Sequence, residues 1–493
     1  MANTLFLNSS RISREIAYTI FATVFVGVFA LVNILVGFNL YLYIFCLIFA
    51  SFFILRKPEV GLYTIIICTF IFERFFTLQP LVTDEHIYKI YPLDILTIMA
   101  VSSFVFYVIR RPDVRLKISP VGVAILLFVV LCAVAAIYGV ATGGEFSVAF
   151  STFKNFGLYA IFFFITINVI RSRQQLERLI KVFVFTGVVL FFFVFFGAIR
   201  GYGLWTEFTP LSTAGARLLA PTHAFYLSIS LLLLFNLFAY KKNYFGNLTV
   251  LVIFIQLLGV LGSLSRHLWV SLAVGIVLSF ILLPKLNKKS LLRILATQFL
   301  LLIIVLSVYT WFSFIVYEQA PTIITDFSRV TVDRLQSFTE YFEDKSATFR
   351  LFAWQEAWES FAASPLIGTG FGHKLTFDYY GYPTRIEVRD LHNDIVGIGV
   401  QMGVLGLVSF FLVNILIIRN SYRTWRQKRK NEQSYLPPFL LGLFACYVMF
   451  LINANFGVYF DLNLLVIFFW VVVGALVVIN KIDDQVERPK RIL

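Results

Sequence analysis

Long apolar runs set the pattern of hydrophobic and polar positions along this chain. Stretches of roughly 17 to 25 mostly apolar residues recur from end to end, separated by short charged clusters, and each is long enough to cross a bilayer as a helix. The pattern therefore predicts an all-α polytopic membrane protein. Fourteen spans are expected, at residues 16–36, 38–55, 60–76, 92–109, 118–141, 149–170, 182–200, 219–239, 248–264, 267–283, 294–316, 394–418, 437–453 and 462–480.

The basic residues between these runs predict an orientation. Of the 41 Lys and Arg residues, 28 fall in one alternate set of connections, 12 fall in the other, and Lys154 lies inside a span. Cytoplasmic loops of membrane proteins retain the positive charge, so we expect both termini to be cytoplasmic. Three regions follow: transmembrane helices 1–11 at 1–316, an extracytoplasmic loop domain at 317–393, and transmembrane helices 12–14 with a cytoplasmic tail at 394–493.

The long loop contains a segment with helical periodicity. Its apolar side chains recur every three or four positions and would form one stripe, at Leu351, Trp354, Trp358 and Phe361. Ser364-Pro365 should end this helix, because the residue before a proline disfavours the helical conformation. An amphipathic helix of this kind either lies on the bilayer surface or over a cavity between spans, or it packs against the rest of the loop.

Composition narrows the class of protein. Hydrophobic residues make up 59% of the 493 residues and charged residues only 14%, against about a quarter in soluble proteins. A soluble enzyme, a disordered chain and a fibrous protein are thereby excluded. The net charge of +14 reflects membrane topology, so we expect no nucleic-acid partner. The four cysteines lie in apolar runs without ligand spacing, and we expect packed thiols, no metal and no cofactor.

Cations at the outer boundary are the first candidates for function, because charge near the membrane core is unfavourable. Arg266 lies in the turn GSLSRHLW between two tightly spaced spans, where a guanidinium needs an anionic partner. Arg217 precedes the eighth span from the same side, and Lys154 lies a few residues inside the sixth. Converging cations would bind a multiply charged anion such as a diphosphate. The alternative is that each side chain reaches lipid phosphates or the loop surface.

His392 differs from the other histidines because it opens the twelfth span, in RDLHNDIVG. An imidazole at that boundary titrates near neutral pH and can accept a proton from a hydroxyl group. The alternative is a hydrogen-bonded residue at a helix start. Asp390 and Asp394 are both close enough in sequence to orient the ring, and Asn393 is a further supporting candidate.

The ordered motifs of the second half resemble a known family. His392-Asn393 followed after nine residues by Gly403 and Gly406 is similar to the H-N-x9-G-x-x-G signature of the O-antigen ligase and O-antigen polymerase superfamily. Upstream, SRHLW, TFRLFAWQEAW and SPLIGTGFG occur in the family's order. The resemblance covers about residues 250–420, and the preceding half is similar only as a series of spans.

This resemblance implies a metal-independent, inverting glycosyltransferase of the GT-C membrane type on the outer face of the bacterial inner membrane. The donor would be a glycan on undecaprenyl diphosphate, and the acceptor a glycan or a lipid-linked glycan within the bilayer. His392 would match the family's proposed base, Arg266 and Arg217 the arginines that hold the donor diphosphate, and Arg350 the arginine that opens the loop helix. A chain-length regulator protein is a further candidate partner.

Three functions remain open at this stage. Fourteen spans exceed the number usual in ligases that use lipid A core, which favours an O-antigen or exopolysaccharide polymerase over a ligase. A flippase or other transporter is the third alternative. Alternating-access transporters tend to have two related halves and polar groups near the midplane, whereas the candidate charges here gather at one face.

Overall fold

The computed structural model describes most of the chain. It covers residues 13–83, 87–111, 116, 118–200, 219–317, 345–378, 386–429, 431 and 434–482. Arg217 lies outside the described residues, so its assignment as a phosphate ligand stays a prediction.

Helices make up most of the described structure. They are α1 (Arg14–Leu35), α2 (Leu40–Arg56), α3 (Pro58–Phe72), α4 (Arg74–Thr77), α5 (Pro92–Ile109), α6 (Pro120–Ala141), α7 (Phe146–Phe156), α8 (Ile161–Val169), α9 (Arg173–Val189), α10 (Phe191–Arg200), α11 (Pro221–Ala239), α12 (Thr249–Gly262), α13 (Arg266–Leu282), α14 (Lys285–Tyr317), α15 (Lys345–Ala363), α16 (Asp394–Lys428), α17 (Leu436–Asn453) and α18 (Asn463–Ile479). Two antiparallel pairs of strands accompany them: β1 (Leu81–Val82) with β2 (Ile87–Tyr88), and β3 (Leu375–Phe377) with β4 (Ile386–Val388).

The helices confirm a multi-pass membrane protein. Within the described parts of the chain, nine helical segments are long and apolar enough to cross a bilayer. Five shorter apolar helices fall on the remaining predicted spans: Leu40–Arg56, Pro58–Phe72, Gly246–Gly262, Arg266–Leu282 and Asn463–Ile479. The all-α class is therefore confirmed, and the count of fourteen crossings stays a prediction.

Peripheral helices place large apolar side chains on their outer faces. In α1, Ala22, Val26 and Ala30 are buried, whereas Phe21 and Leu31 are about half exposed. Lipid chains solvate such side chains as well as a protein interior does, so this distribution fits a bilayer and would be unfavourable in water.

Three helices, α11, α17 and α18, form the centre of the bundle. Every residue of α18 is buried, including the indole of Trp470. A helix that is apolar around its whole circumference is expected to be surrounded by others, and α18 packs against α8 and α17. The four cysteines, Cys46, Cys68, Cys132 and Cys446, are also buried, as predicted.

The loop helix α15 packs on the described part of the loop domain. Ala353 and Ala357 form its buried face, against the β3–β4 pair, in which Leu375 lies opposite Val388. This face is offset from the predicted apolar stripe, and Trp358 of that stripe remains 68% exposed. The helix ends at Ala363, immediately before Ser364-Pro365, as predicted.

Helix α16 is broken near its first third, and a segment of turns and bends at 364–371 crosses the break. Gly403 has a φ of 62° and a ψ of −161°. Before Gly403, the carbonyl of Val400 accepts from Thr369 N–H, and the carbonyl of Gln401 accepts from Gly370 N–H. After Gly403, Val404 N–H donates to Pro365 O. The crossing segment thus satisfies backbone groups that the break would leave unpaired within a membrane.

Candidate functional site

The turn between β4 and α16 places His392 at one end of the bundle. Asn393 caps α16, since its Oδ1 accepts from the N–H groups of Ile395 and Val396 at 3.0 and 3.2 Å. His392 itself has a φ of 52°, a left-handed conformation that is uncommon outside glycine, although asparagine, aspartate and histidine are enriched there. Asn393 therefore fixes the helix start directly after His392.

Asp394 anchors a second loop beneath the histidine. Its buried Oδ2 accepts from the N–H groups of Tyr459 and Phe460 at 2.7 and 2.9 Å, and its own N–H donates to Ala454 O. The Asp394 carboxylate thus holds the connection between α17 and α18. Of the two aspartates predicted to orient His392, Asp390 is the one with an exposed side chain.

His392 lines a small hollow at this end of the bundle. Three elements contribute to its wall: the 389–394 turn with the first turns of α16, the α17–α18 connection, and the end of α7. The lining residues are Phe156, Arg389, Asp390, Leu391, His392, Asn393, Asp394, Gly397, Gln401, Val458 and Asp461. At Gly397 a side chain would meet open space, so the helix backbone is accessible beside the histidine.

An arginine that the sequence analysis did not select lies in this hollow. The Arg389 Nη2 donates to Asp461 Oδ2 at 2.8 Å and to Thr152 Oγ1 at 3.2 Å. Asn155, one turn further along α7, donates to Asp461 Oδ1 at 2.9 Å. Asp461 is therefore engaged through both carboxylate oxygens. The buried Nε of Arg389 lies 4.0 Å from Asp390 Oδ1, an ion-pair distance, and has no hydrogen-bond acceptor among the described residues. Arg389 can offer that donor to a bound oxyanion or hydroxyl.

Helix α15 brings another cation to the histidine. Trp354 donates from its indole N–H to Leu391 O at 3.0 Å, which docks the helix on the residue before His392. Arg350 is one turn earlier on the same helix, and its charge acts on the imidazole. Desolvation by the surrounding protein, and next the positive charge of Arg350, lower the pKa of His392, while Asp390 opposes them. The lowered pKa favours the neutral imidazole that a general base requires.

Arg266 lies at the same end of the bundle and is linked to this region through one aromatic contact. It is the first residue of α13, and the ring of the next residue, His267, packs edge-on against Tyr459 at 6.3 Å between centroids. Tyr459 is in turn held by Asp394. Arg266 is half-buried and is not among the lining residues of the hollow.

Lys154, predicted as a third phosphate ligand, pairs with a carboxylate of α5. Its Nζ lies 3.1 and 3.3 Å from the two carboxylate oxygens of Asp94. It also lies above the ring of Tyr91, and Tyr159 donates to the same carboxylate at 3.1 Å. Lys154 therefore faces α5, whereas Thr152 and Asn155 on the other side of α7 face the hollow.

The structure thus unites His392, Asn393, Asp390 and Arg350 and adds Arg389 to them. The sequence offered one signal for Arg389, its place three residues before His392 in RDLHN. It offered none for the pairing with Asp461, which follows 72 residues later.

Comparison with known families gives a match in the second half of the chain. Residues 251–411 match the family model described as O-antigen ligase, about a third of the chain. A search of curated proteins finds no match. The family match confirms the resemblance to the O-antigen ligase and polymerase superfamily. The matched region contains α15, the crossing segment, Arg266 and His392.

Proposed function

We propose that this protein is an inverting, metal-independent glycosyltransferase of the GT-C type. It transfers a glycan from undecaprenyl diphosphate to a second lipid-linked glycan at the outer face of the bacterial inner membrane, as a polymerase of O-antigen or exopolysaccharide. The observation that carries the proposal is the hollow at the start of α16, where His392 lies with Arg389 and within the field of Arg350.

The reaction draws its driving force from the donor's own leaving group. An acceptor hydroxyl attacks the anomeric carbon while the bond from that carbon to the diphosphate oxygen breaks. The diphosphate leaves with the bonding electron pair, and His392 accepts the hydroxyl proton. Attack opposite the leaving group inverts the configuration at the anomeric carbon.

In this mechanism, cations supply most of the stabilisation of the transition state. Negative charge accumulates on the diphosphate as the bond breaks, and fixed cations that bind it more strongly in the transition state lower the barrier. We assign Arg266 and Arg217 to the diphosphate. Arg389, held by Asp461 and with one donor still available, is suited to the acceptor or to a donor oxygen.

The experiment that tests the function is reconstitution in liposomes with a lipid-linked repeat unit and neither nucleotide nor ion gradient. We expect longer lipid-linked glycans from the unaltered protein. His392→Ala should reduce the rate by roughly a hundredfold to ten-thousandfold, the usual contribution of a general base. Arg266→Ala should abolish transfer. His373→Ala is the matched control, because His373 contacts Thr142 at 3.0 Å and does not line the hollow.

The result distinguishes the proposal from its rivals. Full activity in purified, well-folded His392→Ala would refute the assignment of the base. The family description favours a ligase as the second candidate, so a parallel reaction should contain lipid A core as the acceptor. Transfer only to that acceptor would identify a ligase. Movement of intact lipid-linked glycan across the bilayer without transfer would identify a transporter.

A further inference from the structure

A large groove runs along the membrane-facing side of the bundle, separate from the hollow around His392. It lies between α5, α6 and the segment α7–α8, with a volume of about 750 Å³. This is within the range of roughly 300–1,000 Å³ typical of ligand sites. Along α5 the groove extends from Asp94 to Ser102, about 12 Å at 1.5 Å per residue.

The groove is polar at one end and apolar elsewhere. Lys89, Asp94 and Lys154 lie at the end nearest His392, and the walls beyond include apolar residues such as Leu126 and Phe164. The charges of these three residues leave that end net positive. Such a distribution matches a molecule with one long hydrocarbon chain and an anionic head.

The groove opens sideways toward lipid. Ile98 and Leu126, on opposite walls, are 59% and 44% exposed. A chain already within the bilayer could therefore enter laterally and keep its apolar part out of water throughout. Bilayer lipids have the same access, so the groove's preference for a particular lipid must come from its cationic end.

One short helix separates the groove from the hollow. On α7, Lys154 faces the groove, whereas Thr152 and Asn155 contact the Arg389–Asp461 pair in the hollow. A helix with its side chains is about 10–12 Å across. A lipid phosphate held at Lys154 would thus lie about one helix width from the Arg389–Asp461 pair, which lines the same hollow as His392. A glycan attached to that phosphate could extend around the end of α7 into the hollow.

We infer that this groove binds the polyprenyl chain and phosphate of the second lipid-linked substrate, the glycan acceptor. The inference rests on the proposed polymerase function, which requires two lipid carriers to meet at one site. Lys154 and Lys89 hold the acceptor's phosphate, and the apolar walls hold its chain. The donor diphosphate is left to Arg266, whose neighbour His267 packs on Tyr459 of the α17–α18 connection.

Photo-cross-linking tests the occupant directly. The probe is a polyprenyl monophosphate with a diazirine near the end of its chain, added to purified protein in phosphatidylethanolamine and phosphatidylglycerol vesicles. We expect labelled peptides from α5 and α6. The double substitution Ile98→Trp with Leu126→Trp should reduce labelling about tenfold or more, since it fills the groove. Val105→Trp with Val134→Trp is the control, at equally exposed positions outside the groove.

Two outcomes would overturn the inference. Equal labelling of the filled and control variants would place the chain elsewhere. Competition by phosphatidylglycerol as strong as by unlabelled polyprenyl phosphate would mean that ordinary bilayer lipid occupies the groove.

Opposite charge changes test the role of the cationic end. Lys154→Gln should weaken binding of the polyprenyl phosphate about tenfold, whereas Asp94→Asn removes a competing carboxylate and should strengthen it. If the Lys154–Asp94 ion pair only stabilises the fold, both variants should weaken binding, and that result would contradict the inference. Tyr159 can still donate to an asparagine at position 94, which limits disruption in the second variant.

The experiments distinguish failure of this inference about the groove from failure of the proposed function. Labelling requires no turnover, so His392→Ala should bind the probe normally while it loses transfer. Transfer activity without groove labelling would contradict this inference and leave the proposed function intact. Groove labelling by a protein that never extends a glycan would contradict the proposed function and leave the lipid site intact.

Discussion

At the scale of single residues, the charges around His392 set the pH at which it can act as a base. Arg350 lowers the pKa of His392 and Asp390 raises it, against a background of desolvation that also lowers it. Because the imidazole must be neutral to act as a base, the lowered pKa of His392 extends activity to lower pH. The acid limb of kcat/KM should therefore lie below the usual histidine value of about 6.5.

Substitutions that remove the charge of Arg350 or of Asp390 should shift the acid limb of the kcat/KM profile in opposite directions. Arg350→Gln removes a positive neighbour, so the pKa of His392 rises and the acid limb moves to higher pH. Asp390→Asn removes a negative neighbour, and the limb moves to lower pH. The measurement is the pH profile of kcat/KM for glycan transfer by each variant. Identical profiles in all three proteins would mean that another group carries the acid limb.

The residue types of the site and their order along the chain could be predicted from the sequence, but the residues that each of them contacts could not. His392 and Arg350 were selected from motifs, and the structure brings them together. Lys154 was predicted to lie a few residues inside a span, but the sequence did not show its helical face, and the structure places it on the wall of the groove. Arg389 was missed because its importance depends on Asp461, 72 residues away, and hydrophobic periodicity carries no information about such pairs.

At the scale of elements, the break in α16 depends on glycine. The φ of Gly403 is 62°, and a Cβ atom there would lie 2.4 Å from the backbone of Leu366. Backbone atoms cannot move aside as a flexible side chain can. A φ of 62° with a ψ of −161° is a conformation that essentially only glycine adopts, and it costs a residue with a Cβ about 1–3 kcal/mol. The contact with Leu366 adds to this penalty.

Gly403→Ala should accordingly destabilise the protein by at least about 1–3 kcal/mol and separate the crossing segment from α16. The expected result is a lower melting temperature and a lower yield of monodisperse protein in detergent. Gly397→Ala is the matched control on the same helix, since its Cβ would meet open space. If both variants melt at the unaltered temperature, the close approach at the break is not important for stability.

Element positions followed well from apolar runs, whereas their ends and interruptions did not. The run at 394–418 predicted a span, but α16 continues to Lys428, because its charged last turns extend beyond the apolar stretch. The break at Gly403 was also absent from the prediction. It exists because the distant segment at 364–371 supplies the missing hydrogen bonds, and a local pattern does not reveal a remote partner.

At the scale of the whole molecule, the site lies where three parts of the bundle end together. The start of α16, the α17–α18 connection and α7 are joined through Asp394 and Asp461. Helix α7 belongs to both the hollow and the groove, so a shift of α7 would change both at once. This geometry permits two lipid-linked substrates to approach from different sides, provided that this end of the bundle faces the compartment in which lipid-linked glycans are assembled.

Orientation is therefore the whole-molecule property on which the function depends, and cysteine labelling can measure it. The native cysteines are buried, so an added cysteine should be the main site for a membrane-impermeant maleimide. Trp358→Cys on α15 should react in intact cells or spheroplasts, whereas Gln427→Cys, exposed at the far end of α16, should react only after permeabilisation. The reverse pattern would place His392 in the cytoplasm and would rule out an outer-face transferase, because the glycan donor and the imidazole would then lie on opposite sides of the membrane.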